Sequence, residues 1–281
     1  MKLSIITINY NNKKGLQRTI SSILSQTYKN FEWIIIDGGS TDGSKELICQ
    51  YKQYIKYWCS EPDKGVYNAQ NKGIRYAVGE YLSFMNSGDE FYDKNTLNNI
   101  FGKDNKIEAD VIYGDWMHIL PNNRTLLQKA PCEMSLMYIF TDNICHQAMF
   151  IKTSILKERG FDENFKIFSD WLRWRELVLN GNKFQYVPYT ICKYEAGGLS
   201  GTPSPQNTYE RKLLYDLIPA KLKASVDEHA RLKEKLYRYE NNFFMKETYN
   251  YVFERPLYCH IVRMNLFFLK YFKKFIDLLK L

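Results

Sequence analysis

The segment Trp33-Ile34-Ile35-Ile36-Asp37-Gly38-Gly39-Ser40-Thr41-Asp42-Gly43 decides the reading of this chain. Its β-branched run suits a strand. The run ends abruptly in a carboxylate, two glycines and a small polar cluster, and a helical pattern begins at Ser44. A buried parallel strand delivers an acid to the edge of an α/β sheet in this way, and ligands bind at that edge. Gly38 and Gly39 allow a sharp turn and close backbone approach. Asp42 is the expected N-cap of the next helix, with Glu46 in its first turn. An ordinary strand–turn–helix junction carries the same pattern, so the segment gains meaning from its neighbours.

Upstream, Leu3 to Asn9 reads as a first strand, and Leu16, Ile20, Ile23 and Leu24 have helical spacing. Downstream, Ile55 to Trp58 reads as a third strand, Tyr67 to Ala77 as a helix and Tyr81 to Met85 as a fourth strand. This alternation predicts a mostly parallel sheet with right-handed crossovers and helices on both faces. Asp110 to Gly114 and Gln147 to Lys152 are weaker strand candidates. Phe168 to Leu179 reads as a helix, and Phe184 to Tyr189 as an edge strand ending at Pro188. Gly197 to Pro205 is a Gly/Ser/Pro loop long enough to act as a lid.

From Gln206 the pattern is helical, so the expected division is residues 1–205 and a helical region over 206–281. Leu257 to Leu281 is apolar and basic together, which suits a helix lying in an anionic membrane interface. A terminal helix packed on the domain or on a second subunit of a homo-oligomer fits the same periodicity.

The 281 residues carry a formal charge of +8, which favours acidic partners such as phosphates, nucleotides or anionic lipid. The charge is spread along the chain rather than gathered in a DNA- or RNA-binding motif, so no nucleic-acid partner is expected. Aromatics are abundant, with 22 Tyr and 17 Phe, and suit sugar-stacking surfaces as well as cores. Cys49, Cys59, Cys132, Cys145, Cys192 and Cys259 form no CxxC pair, and no secretory signal is evident. Free thiols in the reducing cytoplasm are therefore expected. No window of roughly 18 unbroken apolar residues predicts a spanning helix.

Three carboxylates fall where such a sheet gathers its ligands. Asp37 ends the second strand, Asp89 follows the fourth in Asn86-Ser87-Gly88-Asp89, and Asp170 stands in Ser169-Asp170-Trp171. Residues just beyond strand C-termini converge on one crevice. Convergent carboxylates there can hold a hard divalent cation against phosphate oxygens, while one kept off the metal can serve as general base.

With Ser4-Ile5-Ile6-Thr7-Ile8-Asn9-Tyr10-Asn11, Ser25-Gln26-Thr27-Tyr28 and Ala69-Gln70-Asn71-Lys72-Gly73-Ile74 added to these segments, the chain resembles the inverting family 2 glycosyltransferases of the GT-A fold. The Asp-Gly-Gly-Ser and Asn-Ser-Gly-Asp forms are similar to a subgroup linked to bacterial capsule, exopolysaccharide and lipopolysaccharide assembly. The resemblance implies a Rossmann-like α/β catalytic domain over roughly the first 200 residues. It implies a nucleotide-sugar donor, UDP preferred, with Mn²⁺ or Mg²⁺, and a glycan or lipid-linked acceptor at the inner face of the membrane. Thr7 and Tyr10 would line the nucleobase and ribose pocket, and Asp37 would accept hydrogen bonds from base or ribose. Asn71 and Lys72 would lie near the phosphates. Asp89 would hold metal and diphosphate, and Asp170 would deprotonate the acceptor hydroxyl. Gly197-Gly198-Leu199-Ser200 would close over the diphosphate through backbone N–H groups. His146, in Cys145-His146-Gln147, would face the acceptor, and Glu61-Pro62-Asp63 could reach the donor sugar. Lys72 as a solvated lysine, His146 as a structural histidine and residues 61–63 as a solvated acidic loop remain open readings.

The chain departs from the family pattern at Asn86 and Gly88, where acids are usual, at Ser169 in place of Glu, and at Gly38 where many relatives carry a second Asp. Metal binding by protein groups would then rest on Asp89 alone, with the diphosphate and water completing the shell. A non-catalytic nucleotide-sugar-binding scaffold is the competing reading. A nucleotidyltransferase ranks lower, because Asn9-Tyr10-Asn11-Asn12 is not a Gly-rich, basic triphosphate loop. If the terminal segment anchors the protein, deletion of 257–281 will move it from the membrane to the soluble fraction. Unchanged membrane recovery on fractionation would count against the anchor.

Overall fold

β1 (Leu3–Asn9) lies between β2 (Phe31–Asp37) and β4 (Tyr81–Phe84), parallel to both, and β3 (Tyr57–Ser60) extends the parallel ladder beyond β2. The structure, a computed structural model, describes residues 2–102, 107–120, 124–195 and 197–241, with only the backbone described for 236–241. The terminal segment 257–281 therefore lies outside the described residues. Ile5, Ile6, Ile34, Ile35 and Ile36 are fully buried, as expected of strands covered on both faces. Asn9 pairs in register with Asp37, so the polar ends of β1 and β2 emerge side by side.

Helices α1 (Lys13–Leu24), α2 (Ser44–Gln50) and α3 (Val66–Tyr76) make the crossovers. α1 begins earlier than the apolar spacing suggests, because Asn12 caps it by accepting the Gly15 N–H. α3 packs on β1 and β2, and a Cβ on Gly73 would lie 2.5 Å from Ile6 Cγ2. Glycine at that position sets the close helix–sheet approach.

The sheet continues with β8 (Met149–Lys152), β6 (Val111–Ile119), β9 (Phe184–Glu195) and β5 (Glu90–Phe91), in the order β3-β2-β1-β4-β8-β6-β9-β5. β7 (Thr125–Gln128) pairs with β6 as a hairpin, so nine strands form one sheet. The expected mostly parallel α/β architecture is present, with β8 the antiparallel joint between its two halves. α4 (Thr96–Phe101), α5 (Leu136–Thr141) and α6 (Thr153–Glu158) are short connecting helices.

β9 corrects the sequence reading. It is twelve residues long, lies between β6 and β5, and does not stop at Pro188. Val187 pairs with Gly114 and Thr190 with Asp115, so Pro188 and Tyr189 bulge out of register. A bulge accommodates a proline that a regular interior ladder would exclude.

α7 (Ser169–Leu179) and α8 (Pro205–Asp216) complete the first compact unit, which runs to Pro219 rather than ending at 205. The reason is Glu210 on α8. Its buried carboxylate accepts the Lys166, Ile167 and Phe168 N–H groups at 2.6, 2.9 and 2.9 Å, tying α8 to the loop before α7. The second unit contains α9 (Ala220–Asn241). Among the described residues no helix is long and apolar enough to cross a membrane.

Thr7 does not reach the pocket that the resemblance assigns to it. It is fully buried, and its Oγ1 accepts the Trp33 indole N–H at 3.0 Å. Thr7→Val keeps the shape and leaves a buried indole donor unpaired, a cost of about 1–3 kcal/mol. We expect the urea midpoint to fall accordingly, Thr7→Ser to recover most of the loss, and nucleotide binding to persist in both. Wild-type stability in Thr7→Val would overturn this account.

Candidate active site

The crevice edge beyond β2 is built around Asp37, whose carboxylate is filled by protein donors. Oδ1 accepts from Asn9 Nδ2 at 2.7 Å and Ser40 Oγ at 2.6 Å, and Oδ2 from the Ser40 N–H at 2.9 Å and Ser60 Oγ at 2.6 Å. Burial works against the charge, yet the Ser40, Ser60 and Asn9 bonds outweigh it and hold the carboxyl below its usual range. Four donors match the roughly four lone-pair sites of a carboxylate, so no direct bond to a base or ribose is left to make. Asp37 instead fixes the loop that follows β2.

Asp42 is not the N-cap of α2. That position is Gly43, in the left-handed region, while Asp42 accepts the Lys13 N–H at 2.7 Å and the Ser44 N–H at 3.0 Å. It thereby joins the starts of α1 and α2. Above this loop Tyr10 is 67% exposed. A Cβ on Gly38 would lie 2.6 Å from Asp63 Oδ2 and 3.2 Å from the Tyr10 ring, so Tyr10 and Asp63 converge on Gly38. Asn71 and Lys72 brace neighbouring loops. Lys72 Nζ donates to Glu61 Oε1 at 2.7 Å and to the Pro62 carbonyl, which steadies the loop carrying Asp63. Asn71 Nδ2 donates to the Phe161 carbonyl and Glu163 Oε1, and its Oδ1 accepts the Phe161 N–H.

At the other end, Asp89 and Asp170 are joined by Cys145-His146-Gln147. Gln147 Nε2 donates to Asp89 Oδ2 at 3.1 Å, as does the Asn86 N–H at 3.0 Å. His146 Nδ1 lies 3.2 Å from Asp170 Oδ2, and its Nε2 lies 3.0 Å from Asn86 Nδ2. His146 thus bridges Asn86 and Asp170 through its two ring nitrogens. Thr19 on α1 closes the Asn86–Asp89 turn: its hydroxyl lies 2.8 Å from the Asp89 carbonyl and 3.1 Å from that of Asn86, and accepts the Gly88 N–H.

Asp170 lies in the first turn of α7 and is buried. Its Oδ1 accepts the Trp171 N–H at 2.9 Å and lies 2.9 Å from the Tyr67 hydroxyl, which also lies 2.6 Å from the Ile167 carbonyl. Burial, with the Asp170 charge adding to it, keeps Tyr67 protonated by pushing its pKa well above 10. The phenol therefore keeps its single proton between the Ile167 carbonyl and the acid.

Asp89 has the opposite electrostatics to Asp37. Burial pushes its carboxyl up to about 6, against the pull of His146 and the Gln147 and Asn86 hydrogen bonds. A buried acid of this kind gains from a cation. Asn86 Oδ1 is buried without a hydrogen-bond partner, a second hard oxygen beside the same turn. These two oxygens fit an open-shell Mg²⁺ or Mn²⁺ site. Among the described residues no three His, Cys, Asp or Glu side chains gather to enclose a metal.

Ser200 is exposed, and its carbonyl accepts from Asn207 Nδ2 at 3.0 Å and Arg211 Nη2 at 3.5 Å. The glycine-rich loop is thus tied to α8, while Arg211 stacks over Phe168 and Trp171 beside Asp170. Sequence reasoning missed Tyr67, Gln147 and Glu210 as parts of the site. Gln147, adjacent to His146, carried a signal; the other two became visible only when the helices were placed.

The family model for glycosyl transferase family 2 matches residues 4–179. An uncharacterized glycosyltransferase of Mycobacterium tuberculosis is 30% identical over 214 residues, 74% of this chain and 80% of the relative. A PGL/p-HBAD biosynthesis glycosyltransferase of Mycobacterium bovis is 28% identical over 206 residues, 71% and 79% of the two chains. Residues 1-349 of S. aureus TarS in complex with UDP-GlcNAc superpose with a TM-score of 0.63 at 22% identity, over 82% of this chain and 70% of that one. This chain spans 44% of the longer TarS structure. A mannosyltransferase of Pyrobaculum calidifontis, in complex with GDP-Man and Mn²⁺, superposes at 0.58 with 15% identity, over 82% and 69%. The architecture is that of the GT-A glycosyltransferases, and the chain belongs to glycosyl transferase family 2.

Proposed function

We propose that the protein moves a sugar, with inversion, from a UDP-sugar to a hydroxyl of a glycan or lipid-linked acceptor in cell-surface polysaccharide biosynthesis. The observation that carries this reading is the hydrogen-bonded chain from Asp89 through Gln147, His146 and Asn86 to Asp170 and Tyr67. It holds one acid for the diphosphate and another for the acceptor at a fixed separation. The UDP and UDP-GlcNAc complexes of TarS support a UDP donor, and the Mn²⁺ of the mannosyltransferase supports a divalent cation.

In this reading Tyr10 stacks on the base, and Asp63 takes over the recognition expected of Asp37. A carboxylate suits the imide N–H of uracil. Asp37, Asn71 and Lys72 shape the nucleotide pocket from behind, and the Ser200 loop borders the diphosphate. A divalent cation held by Asp89 and the Asn86 amide oxygen would supply charge stabilisation for the departing nucleotide. Asp170 takes the acceptor proton on the oxygen that faces the incoming hydroxyl. Tyr67 and His146 fix its rotamer. The scaffold reading needs no such oriented base, and every polar contact of Asp170 serves to orient it.

Asp170→Asn preserves shape and removes the base, so UDP release with Mn²⁺ is expected to fall by about 10²–10⁴-fold while UDP still binds. Retained turnover would exclude Asp170 as the base, and no turnover by the wild type with any donor would favour the scaffold.

Asp89 yields a pH prediction. Its folded pKa of about 6 lies above the ordinary 3.8, so the folded protein holds the proton more tightly than the unfolded chain. Metal-free stability is therefore lost from this group as pH rises from about 4 through about 6, by an amount of order 3 kcal/mol. Asp89→Asn is expected to raise the metal-free melting temperature at pH 7.5 and to abolish stabilisation by Mn²⁺. A variant that melts like the wild type across this range would exclude a strained, metal-seeking carboxylate.

A further inference from the structure

A second cavity lies between α5, α7 and α8. It encloses about 330 Å³ and is lined by Phe140, Asp142, Trp171, Arg175, Arg211 and Tyr215, among others. Trp171 and Arg175 are four residues apart on α7 and share a face, with Trp171 directly following Asp170.

Arg175 is only 8% exposed and, among the described residues, has no carboxylate partner. Its Nε donates to the Ile139 carbonyl at 3.2 Å and Nη1 to the Leu214 carbonyl at 2.7 Å, which leaves Nη2 without a protein acceptor. Arg211 stands at the rim. Its Nε donates to Asn207 Oδ1 and its Nη2 to the Ser200 carbonyl, and Nη1 is left over. Among the described residues neither guanidinium is ion-paired. The carboxylate of Asp142 also lines the cavity and accepts the Asn143 N–H. One acid against two guanidiniums leaves the lining net positive. Burial alone pushes Arg175 down to about 10, so the guanidinium bears a desolvation cost that no protein charge offsets.

We propose that this cavity binds a phosphoryl group of the acceptor, held between Arg175 and Arg211, with the attached sugar or chain lying on Phe140, Trp171 and Tyr215. A planar guanidinium fork suits a phosphate, and the aromatic wall suits what the phosphate carries. The volume exceeds that of a bare phosphate, so there is room for both. The site rests on the glycosyl-transfer reading only in calling its ligand the acceptor. Arg211 links it to the reaction, because the same side chain holds the Ser200 carbonyl and stacks on the residues flanking Asp170.

The test uses the full-length protein and isothermal titration with geranyl phosphate, inorganic phosphate and geraniol, with and without saturating UDP and Mg²⁺. Arg175→Gln would free two backbone carbonyls and risks unfolding, so the variants are Arg211→Gln and Arg211→Lys. Arg75→Gln, which removes an equal charge at another cavity lined by α3 and α6, is the control. Geranyl phosphate is expected to bind the UDP-loaded protein at least 10-fold more tightly than geraniol. Arg211→Gln should weaken it about 10-fold, Arg211→Lys should recover part of that loss, and Arg75→Gln should match the wild type. Inorganic phosphate should compete, and its affinity relative to geranyl phosphate separates a free-phosphate site from one that reads a chain-borne phosphate. Equal binding of geranyl phosphate and geraniol, or an Arg211→Gln variant indistinguishable from wild type, would overturn the proposal. UDP binding to the same samples reports separately on the glycosyl-transfer reading, so the two can fail independently.

Discussion

The hydrogen bond between His146 and Asp170 is the contact on which the geometry of the site depends. Asp170 belongs to α7, and Asp89 to a loop between β4 and β5. Their separation has to be held by an element that reaches both. The short turn before β8 does so, because β8 pairs with β4 on one side and β6 on the other. That turn presents His146 to Asp170 and Asn86, and Gln147 to Asp89. A shift of either acid must therefore break a partly buried hydrogen bond or move the centre of the sheet. Pre-organisation of this kind is what positioning of reactants requires.

Carboxylates in this fold serve two purposes, and their hydrogen bonds tell them apart. Asp37 and Glu210 are saturated by donors and act as girders: one closes the loop after β2, and the other ties α8 to the loop before α7. Asp89 is buried with fewer donors and an elevated pKa, and Asp170 has one oxygen facing a histidine. The saturated acids contribute rigidity, whereas the underserved ones retain capacity for a ligand or a proton. A strand-end position alone cannot separate the two kinds, since Asp37 and Asp89 both follow strands.

This explains which parts of the molecule were legible in the sequence. β1, β2, α3 and β4 follow from apolar runs and spacing, because the strands are buried almost throughout and α3 buries one face. β9 was misread because Pro188 is a local signal, while the bulge that absorbs it depends on the facing Gly114–Asp115 pair. Asp170 and Asp89 stand out from their places beside the sheet, and His146 from the resemblance, and the three occupy one connected site. Thr7 and Asp37 were assigned to the nucleotide, but each is turned inward by a partner that is distant in sequence, Trp33 in one case and Ser60 in the other. Asp63, near Gly38 in space, looked like one acid of a solvated loop. Partner choice across the sheet is tertiary information, and no local pattern carries it.

The charge of the chain acquires a location from the same reasoning. A formal +8 spread over 281 residues says only that acidic partners are favoured. Several cations are answered by nearby acids, as in Lys72–Glu61, Lys129–Asp115 and Arg173–Glu176. Arg175 and Arg211 are not, and Arg175 lies in a place where an unanswered charge is expensive. Backbone carbonyls satisfy part of its hydrogen-bonding capacity but do not neutralise it. Two guanidiniums kept unpaired on the helix that carries Asp170, and on the helix that braces it, are most economically explained by an anion arriving from solution. On the proposed reading, the cleft then asks for negative charge at both ends of the reacting pair: diphosphate on the donor side and a phosphoryl group on the acceptor side.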